Sequence, residues 1–174
     1  MESIMEELFR QHRDAEAMLV KLAAGVGRVR REGAGGAGVL GDLSELRHEI
    51  QGEVLSHFRE EEQALFPVLG RHLDSSSGPI ATMMEEHALF RQLELQFEEA
   101  VAALEAGLRD GWEEKLGDAG DAIARLLPGH IAKEEEVLFP MAEEVLQEEE
   151  WAEVRRLWRE ALDAIPENSR RIGE

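Results

Sequence analysis

The chain is predicted to be all-α, an up-down-up-down four-helix bundle with a short fifth helix at its C-terminal end. Three observations predict it. Glu, Leu, Ala and Arg dominate the 174 residues, and all four favour helix. Along four long stretches, apolar residues recur at alternating three- and four-residue spacing, the pattern of a helix with one buried face. Short Gly-, Ser- or Pro-containing connections separate these stretches, so consecutive helices should pack as antiparallel neighbours. By length, residues 1–174 form one domain, with the bundle over about 3–146 and the C-terminal helix over about 148–165.

The first helix opens at Ser3, where Glu6 completes a capping box. Its inward stripe reads Met5, Leu8, His12, Ala15, Leu19, Leu22, Val26 and Val29, and the run Gly33 to Gly38 stops it. The second helix is expected to open near Asp42 and to end near His72. It carries Leu43, Leu46, Ile50, Val54, His57, Glu61, Ala64 and Val68 inward. A Ser-rich loop from Asp74 leads to Pro79, a residue suited to the first turn of the third helix. That helix presents Ile80, Met83, His87, Phe90, Glu94, Phe97, Val101 and Leu104. After a turn between Gly107 and Gly111, the fourth presents Leu116, Ala119, Ile123, Leu126, His130, Glu134, Val137 and Met141. Glu148 to Ala164 reads as the fifth helix, bounded by Pro166, with Trp151, Leu157, Trp158 and Leu162 packing on the bundle end. Pro67, Pro128 and Pro140 fall inside the predicted helices and are read as kinks rather than stops.

Composition excludes several classes of function. A net charge of -19 opposes nucleic acid and anionic membrane surfaces, both of which need Lys and Arg against phosphate. The absence of cysteine removes disulfides, zinc–thiolate sites, cysteine-ligated iron–sulfur clusters and thiol chemistry. No apolar run approaches the ~18 residues that span a bilayer. The acidic N-terminus lacks the basic region of a secretory signal, so a cytoplasmic location is expected.

An eleven-residue stretch occurs twice. His57-Phe-Arg-Glu-Glu61-Glu62-Gln-Ala-Leu65-Phe66-Pro67 returns as His130-Ile-Ala-Lys-Glu134-Glu135-Glu-Val-Leu138-Phe139-Pro140, with six positions identical. A histidine and a glutamate four residues apart stack on one helical face. His12 precedes His57 by 45 residues and His87 precedes His130 by 43, so the chain reads as two copies of one hairpin. Each copy contributes a lone histidine and then a His-x-x-x-Glu pair. Pseudo-twofold packing would bring His12, His57, His87, His130, Glu61 and Glu134 to one level.

A single histidine on an apolar stripe is more often a hydrogen-bonded core residue than a ligand. Four histidines and two glutamates buried together are another matter. An unpaired buried carboxylate costs several kcal/mol or shifts its pKa, and pairing with imidazolium rarely recovers the desolvation. Metal cations resolve the charge and satisfy the donors together. Of the remaining polar residues, His48 falls on the opposite face, and His72 reads as a solvated histidine at a helix end. Glu60, Glu62, Glu135 and Glu136 point 100° or more from the repeat glutamates; most are expected in solvent, with one of them a candidate to support a ligand. Glu94 is expected at a solvated edge of its stripe, and Arg91 is placed to pair with it or with a ligating glutamate.

Imidazole with carboxylate suits iron, manganese or zinc. Donors enough for two ions, with two carboxylates able to bridge, favour a di-iron centre. Ferritin-like bundles use Glu-x-x-His on two helices, and only Glu45-Leu-Arg-His48 has that spacing here, once and facing away. The duplicated His-x-x-x-Glu-Glu-x-x-Leu-Phe-Pro pattern, with lone histidines on alternate helices, resembles the hemerythrin-like family, or HHE cation-binding domain, from His12 to Pro140. The resemblance implies a non-haem di-iron centre with an oxo or hydroxo bridge. It further implies His12, His57, His87 and His130 as terminal ligands and Glu61 and Glu134 as bridges. Oxygen-carrying members have a fifth histidine one turn from that of the third helix, where this chain has Met83 and Arg91. The six-residue set looks more like the iron-centre-repair and sensor branches. Repair proteins usually carry a cysteine-bearing N-terminal segment, and this chain is expected to begin directly at its first helix. The expected partner is a small diatomic or peroxide: dioxygen, nitric oxide or hydrogen peroxide. Iron storage or sensing, peroxide or nitric oxide detoxification with turnover, and a metal-free structural bundle are the alternatives; oligomeric state stays open.

Overall fold

A computed structural model describes residues 3–163. Its elements are α1 (Ile4–Glu32), α2 (residues 39–69), α3 (Gly78–Glu105), α4 (residues 112–145) and α5 (Glu148–Asp163). Each of the first four packs against its neighbour in the chain, and α1 also packs against α4, which closes the four-helix bundle. Helix α5 lies across the end of α2, against its last two turns. The expected stop at Pro166 falls outside the described residues, as does the end of the predicted fifth helix.

Local chemistry sets the helix ends. Ser3 Oγ accepts from the Glu6 N–H, and the Glu6 carboxylate accepts from the Ser3 N–H, so the capping box forms. Helix α2 opens at Val39 rather than near Asp42, because Gly38 adopts φ 77° and turns the chain earlier than a side chain would allow. In the loop before α3, Asp74 accepts from the Ser76 and Ser77 hydroxyls and the Ser76 N–H, and Pro79 sits in the first helical turn.

Helices α2 and α4 run on through their prolines. Just before Pro67 and Pro140 each helix widens into a π turn, Glu61–Leu65 and Glu134–Leu138. The Phe66 N–H donates to the Glu61 carbonyl and the Phe139 N–H to the Glu134 carbonyl, five residues back. Widening relieves the clash between a proline ring and the carbonyl of the preceding turn, so the helix survives a residue that lacks the N–H. A third π turn, Ile50–Val54, lies earlier in α2. Pro128 lies within the α-helical part of α4.

Each π turn adds a residue and shifts what faces inward. Leu138 and Ala142 are buried in α4 instead of Val137 and Met141, and Val137 is 46% exposed. Two smaller corrections reflect a stripe broader than one residue per turn. Met18 and Leu127 are fully buried, while Leu19 and Leu126 pack at the edge of the core. On α5 the buried residues are Val154, Trp158 and Ala161; Trp151 and Leu157 are half-buried and Leu162 is exposed.

The apolar interior divides into two clusters. One runs from Ala15 through Val54, Phe58 and Phe90 to Ile131; the other joins Leu8, Ala64, Met83 and Leu138 to Trp158 of α5. Between them lies a single polar layer, and it holds the candidate site.

Candidate metal centre

His12, His57, Glu61, His87, His130 and Glu134 all lie in that layer. The structure brings together every residue singled out from the sequence. Five of the six are at most 1% exposed and His57 is 6% exposed. The four long helices supply one histidine each, and the two π turns each begin with one of the glutamates. Starting the wide turn at the glutamate keeps its carboxylate on the histidine face before the register slips.

The imidazoles meet in pairs, His12 Nε2 lying 3.2 Å from His57 Nε2 and His87 Nε2 lying 3.3 Å from His130 Nε2. The carboxylates reach across both pairs. Glu61 Oε2 is 3.5 Å from His57 Nε2 and 3.4 Å from His87 Nε2. Glu134 Oε2 is 3.0 Å from His12 Nε2, while its Oε1 is 3.2 Å from His130 Nε2. Despite these approaches, no N–H points at either carboxylate, and among the described residues all four oxygens lack a hydrogen-bond donor.

The reason is on the far side of each ring. His12 Nδ1–H donates to Glu135 Oε1 at 2.9 Å, His87 Nδ1–H to Glu62 Oε1 at 2.8 Å, and His130 Nδ1–H to Glu86 Oε2 at 3.0 Å. His57 Nδ1–H donates to Gln11 Oε1 at 2.8 Å. An ionised carboxylate only accepts, so its histidine carries the proton on Nδ1 and turns the Nε2 lone pair inward. Inward lone pairs facing each other beside two carboxylates repel unless a cation lies among them. Pinning Nδ1 this way is also how metal-binding histidines are held in register.

Electrostatics follow from burial. Burial pulls the His57 imidazole down to about 4, which keeps it neutral. The Glu61 carboxyl is pushed well up by burial and then by the Glu134 charge beside it. At Glu134 burial also opposes ionisation, and His12, His130 and His57 hold it below the usual range only where they present a proton on Nε2. The outer carboxylates are neutralised at the surface: Arg91 pairs with Glu62 at 2.9 Å, Arg13 with Glu135, and Lys133 with Glu86.

Aromatic rings seal the layer. His87 is stacked between Phe58, with centroids 3.8 Å apart, and Phe66 at 5.7 Å; His12 stacks on Phe139 at 5.4 Å. The Leu-Phe-Pro element of the repeat thus places its phenylalanine on the lone histidine of the other hairpin.

Two groups of donor atoms are capable of holding a cation, Glu61 with His87, His130 and Glu134, and His12 with His57 and Glu134; within each group the atoms lie within 4.8 Å of one another. Nitrogen and carboxylate donors, buried and without donors of their own to satisfy them, fit a pair of iron, manganese or zinc ions.

Several residues prove different from their sequence reading. Glu62 and Glu135 are partly buried supports of histidines rather than solvated, and Glu60 is 2% exposed, accepting from Gln11 and Ser56. Rotation by 100° does not carry a long side chain away once the helix has widened; only Glu136 is exposed as expected. Arg91 pairs with Glu62, not with Glu94 or a central glutamate. Glu94 is buried and accepts from Gln51 Nε2 at 3.0 Å. His72 is exposed just past the end of α2, as expected, and pairs with Glu150 of α5 at 2.7 Å. Gln11 and Glu86 escaped notice, although each directly precedes a lone histidine.

No helix among the described residues is long and apolar enough to cross a membrane. Residues 3–142 match the model of the hemerythrin HHE cation binding domain. The chain is 33% identical over 144 residues, 80% of its length, to the iron-sulfur cluster repair protein YtfE of Yersinia pseudotuberculosis serotype IB (strain PB1/+). It spans 62% of the length of that relative. No solved structure matches it. With the bundle, the paired histidines and the spanning carboxylates in place, the family match makes this chain a member of the hemerythrin HHE cation-binding family.

Proposed function

We propose that the chain is a non-haem di-iron protein that binds or reacts with a small diatomic or peroxide, namely dioxygen, nitric oxide or hydrogen peroxide. The observation that carries this reading is the buried layer of four inward Nε2 lone pairs and four carboxylate oxygens without donors. His12, His57, His87 and His130 would serve as terminal ligands, with Glu61 and Glu134 spanning the two ions. Iron is supported over manganese or zinc by the likeness to the Yersinia iron-sulfur cluster repair protein. An iron pair supplies two adjacent one-electron centres able to exchange electrons with a small molecule.

The chain's own residues set the conditions for that chemistry. Glu62, Glu86, Glu135 and Gln11 hold each imidazole by Nδ1, so the ligands are oriented before any ion arrives. Phe58, Phe66 and Phe139 exclude bulk water from the rings they cover. Low solvent access strengthens every charge interaction in the layer.

Purified protein grown with iron should contain about two iron ions per chain, as expected where metal binding is coupled to a folded site. Its oxidised form should show near-ultraviolet charge-transfer absorption, and its reduced form should respond to at least one of the three small molecules. Inertness to all three in iron-loaded protein would remove the reactivity, and absence of iron would remove the centre.

A further inference from the structure

The two hairpins are copies, but only the first has a fifth helix over it. Aligning His57 with His130 sets Ser56, Glu60, Ala64 and Val68 of α2 against Gly129, Lys133, Val137 and Met141 of α4. On each helix these four residues form an outer stripe at four-residue spacing. Helix α5 packs over the first stripe, and its Val154 and Trp158 share one apolar cluster with Ala64 and Val68. Glu60 is 2% exposed and Ala64 and Val68 are fully buried. The ion pairs Arg71–Glu153 and His72–Glu150 fasten the helix in place.

Among the described residues the second stripe has no such cover. Val137 is 46% exposed where its counterpart Ala64 is sealed, Gly129 and Lys133 are exposed, and Met141 is half-buried. Lys133 and His130 both reach Glu86 of α3, so α3 forms the other wall of this groove. Leu89, one turn beyond Glu86 and 43% exposed, extends the apolar surface along that wall. A Cβ at Gly129 would meet nothing within 4 Å, which leaves room for a helix to approach closely. From Gly129 to Met141 the groove runs about 18 Å. Its rim is acidic. Glu85, Glu136 and Glu144 are exposed beside it, and none has an ion-pair partner among the described residues.

We propose that this α3–α4 groove docks an amphipathic helix of a partner protein, apolar on one face and flanked by Lys and Arg. The shape follows from the first hairpin, where the same stripe takes a helix. The charge follows from the rim, because unpaired carboxylates beside an apolar stripe select cationic flanks. A second copy of the chain fits poorly, since it would bring the same acidic rim and a further net charge of -19.

A labelled peptide of the length of α5, 16 residues, with Leu on one helical face and Lys on both flanks, serves as the probe. Fluorescence anisotropy against the full chain should show saturable one-to-one binding, and the same peptide with Glu in place of Lys should not bind. Val137→Glu should weaken binding by about tenfold or more. The triple variant Glu85→Gln/Glu136→Gln/Glu144→Gln, which leaves Val137 in place, should weaken it as much. Val20→Glu, which adds the same charge at a 72% exposed position of α1, should leave it unchanged. No binding, equal binding of both peptides, or equal losses in Val137→Glu and Val20→Glu would overturn the docking surface. So would sedimentation showing a dimer of the chain that Val137→Glu dissociates, which would give the face to a second copy. None of these outcomes depends on the iron content of the protein.

Discussion

Glu62 and Glu135 each stand one residue beyond a carboxylate of the central layer, yet each faces a different histidine across the bundle. Their work is indirect: they fix which nitrogen of His87 and His12 carries the proton and how the ring is turned. Removing such a support leaves the ligand atoms present but poorly aimed. Glu135→Ala and Glu62→Ala should each weaken iron binding by about tenfold to a hundredfold, measured by competition with a chelator. Glu136→Ala, on the exposed side of the same turn, should change nothing. Equal affinity in all three variants would show that the imidazoles hold their orientation without help. Gln11 and Glu86 belong to the same tier of residues.

Helix packing sets a second group of constraints. Gly120 on α4 packs against α1, and a Cβ there would sit 2.6 Å from Val26 Cγ2. Gly120→Ala must push the helices apart and should cost about 1–3 kcal/mol. Gly129, exposed on the same helix with nothing within 4 Å of a Cβ, should behave oppositely. There Gly129→Ala should stabilise by up to about 1 kcal/mol, because alanine restricts the unfolded chain and favours helix. Urea unfolding of both variants checks the pair, and a loss at both positions would contradict the open space around Gly129. Element by element, the sequence made the helices and the six central residues readable because a 3.6-residue period and a duplicated motif are both local signals. The π turns were not readable, since nothing in Glu61–Leu65 distinguishes a wide turn from an ordinary one before the proline's clash is considered in three dimensions. That one unseen residue per turn explains why Leu138 and Ala142 replaced Val137 and Met141 in the core. The supports Glu62 and Glu135 were misread for the same reason, and Gln11 because its partner is 46 residues away.

The whole molecule stores its least tolerable charges in one layer between two apolar clusters, so the stability of the fold and the occupancy of that layer are linked. Without cations, Glu61 and Glu134 repel each other in a dry site. Glu61 responds by holding its proton: burial and then the neighbouring Glu134 charge push its carboxyl well above the usual range. An unfolded chain releases that proton near about pH 4.3. Above this, the folded state binds more protons than the unfolded state at Glu61, so stability falls as pH rises until Glu61 itself ionises. Glutamine at this position cannot titrate and removes that dependence. In chelated protein, Glu61→Gln should therefore unfold at higher urea than the wild type. The gap should widen with pH by about 1.4 kcal/mol per unit between the two pKa values. In iron-loaded protein the sign should reverse, because a carboxylate that would hold iron has become a neutral amide. A gap that stays constant with pH in the chelated proteins would mean Glu61 ionises in the fold as easily as in water, and the repulsive layer would no longer need metal to be tolerated.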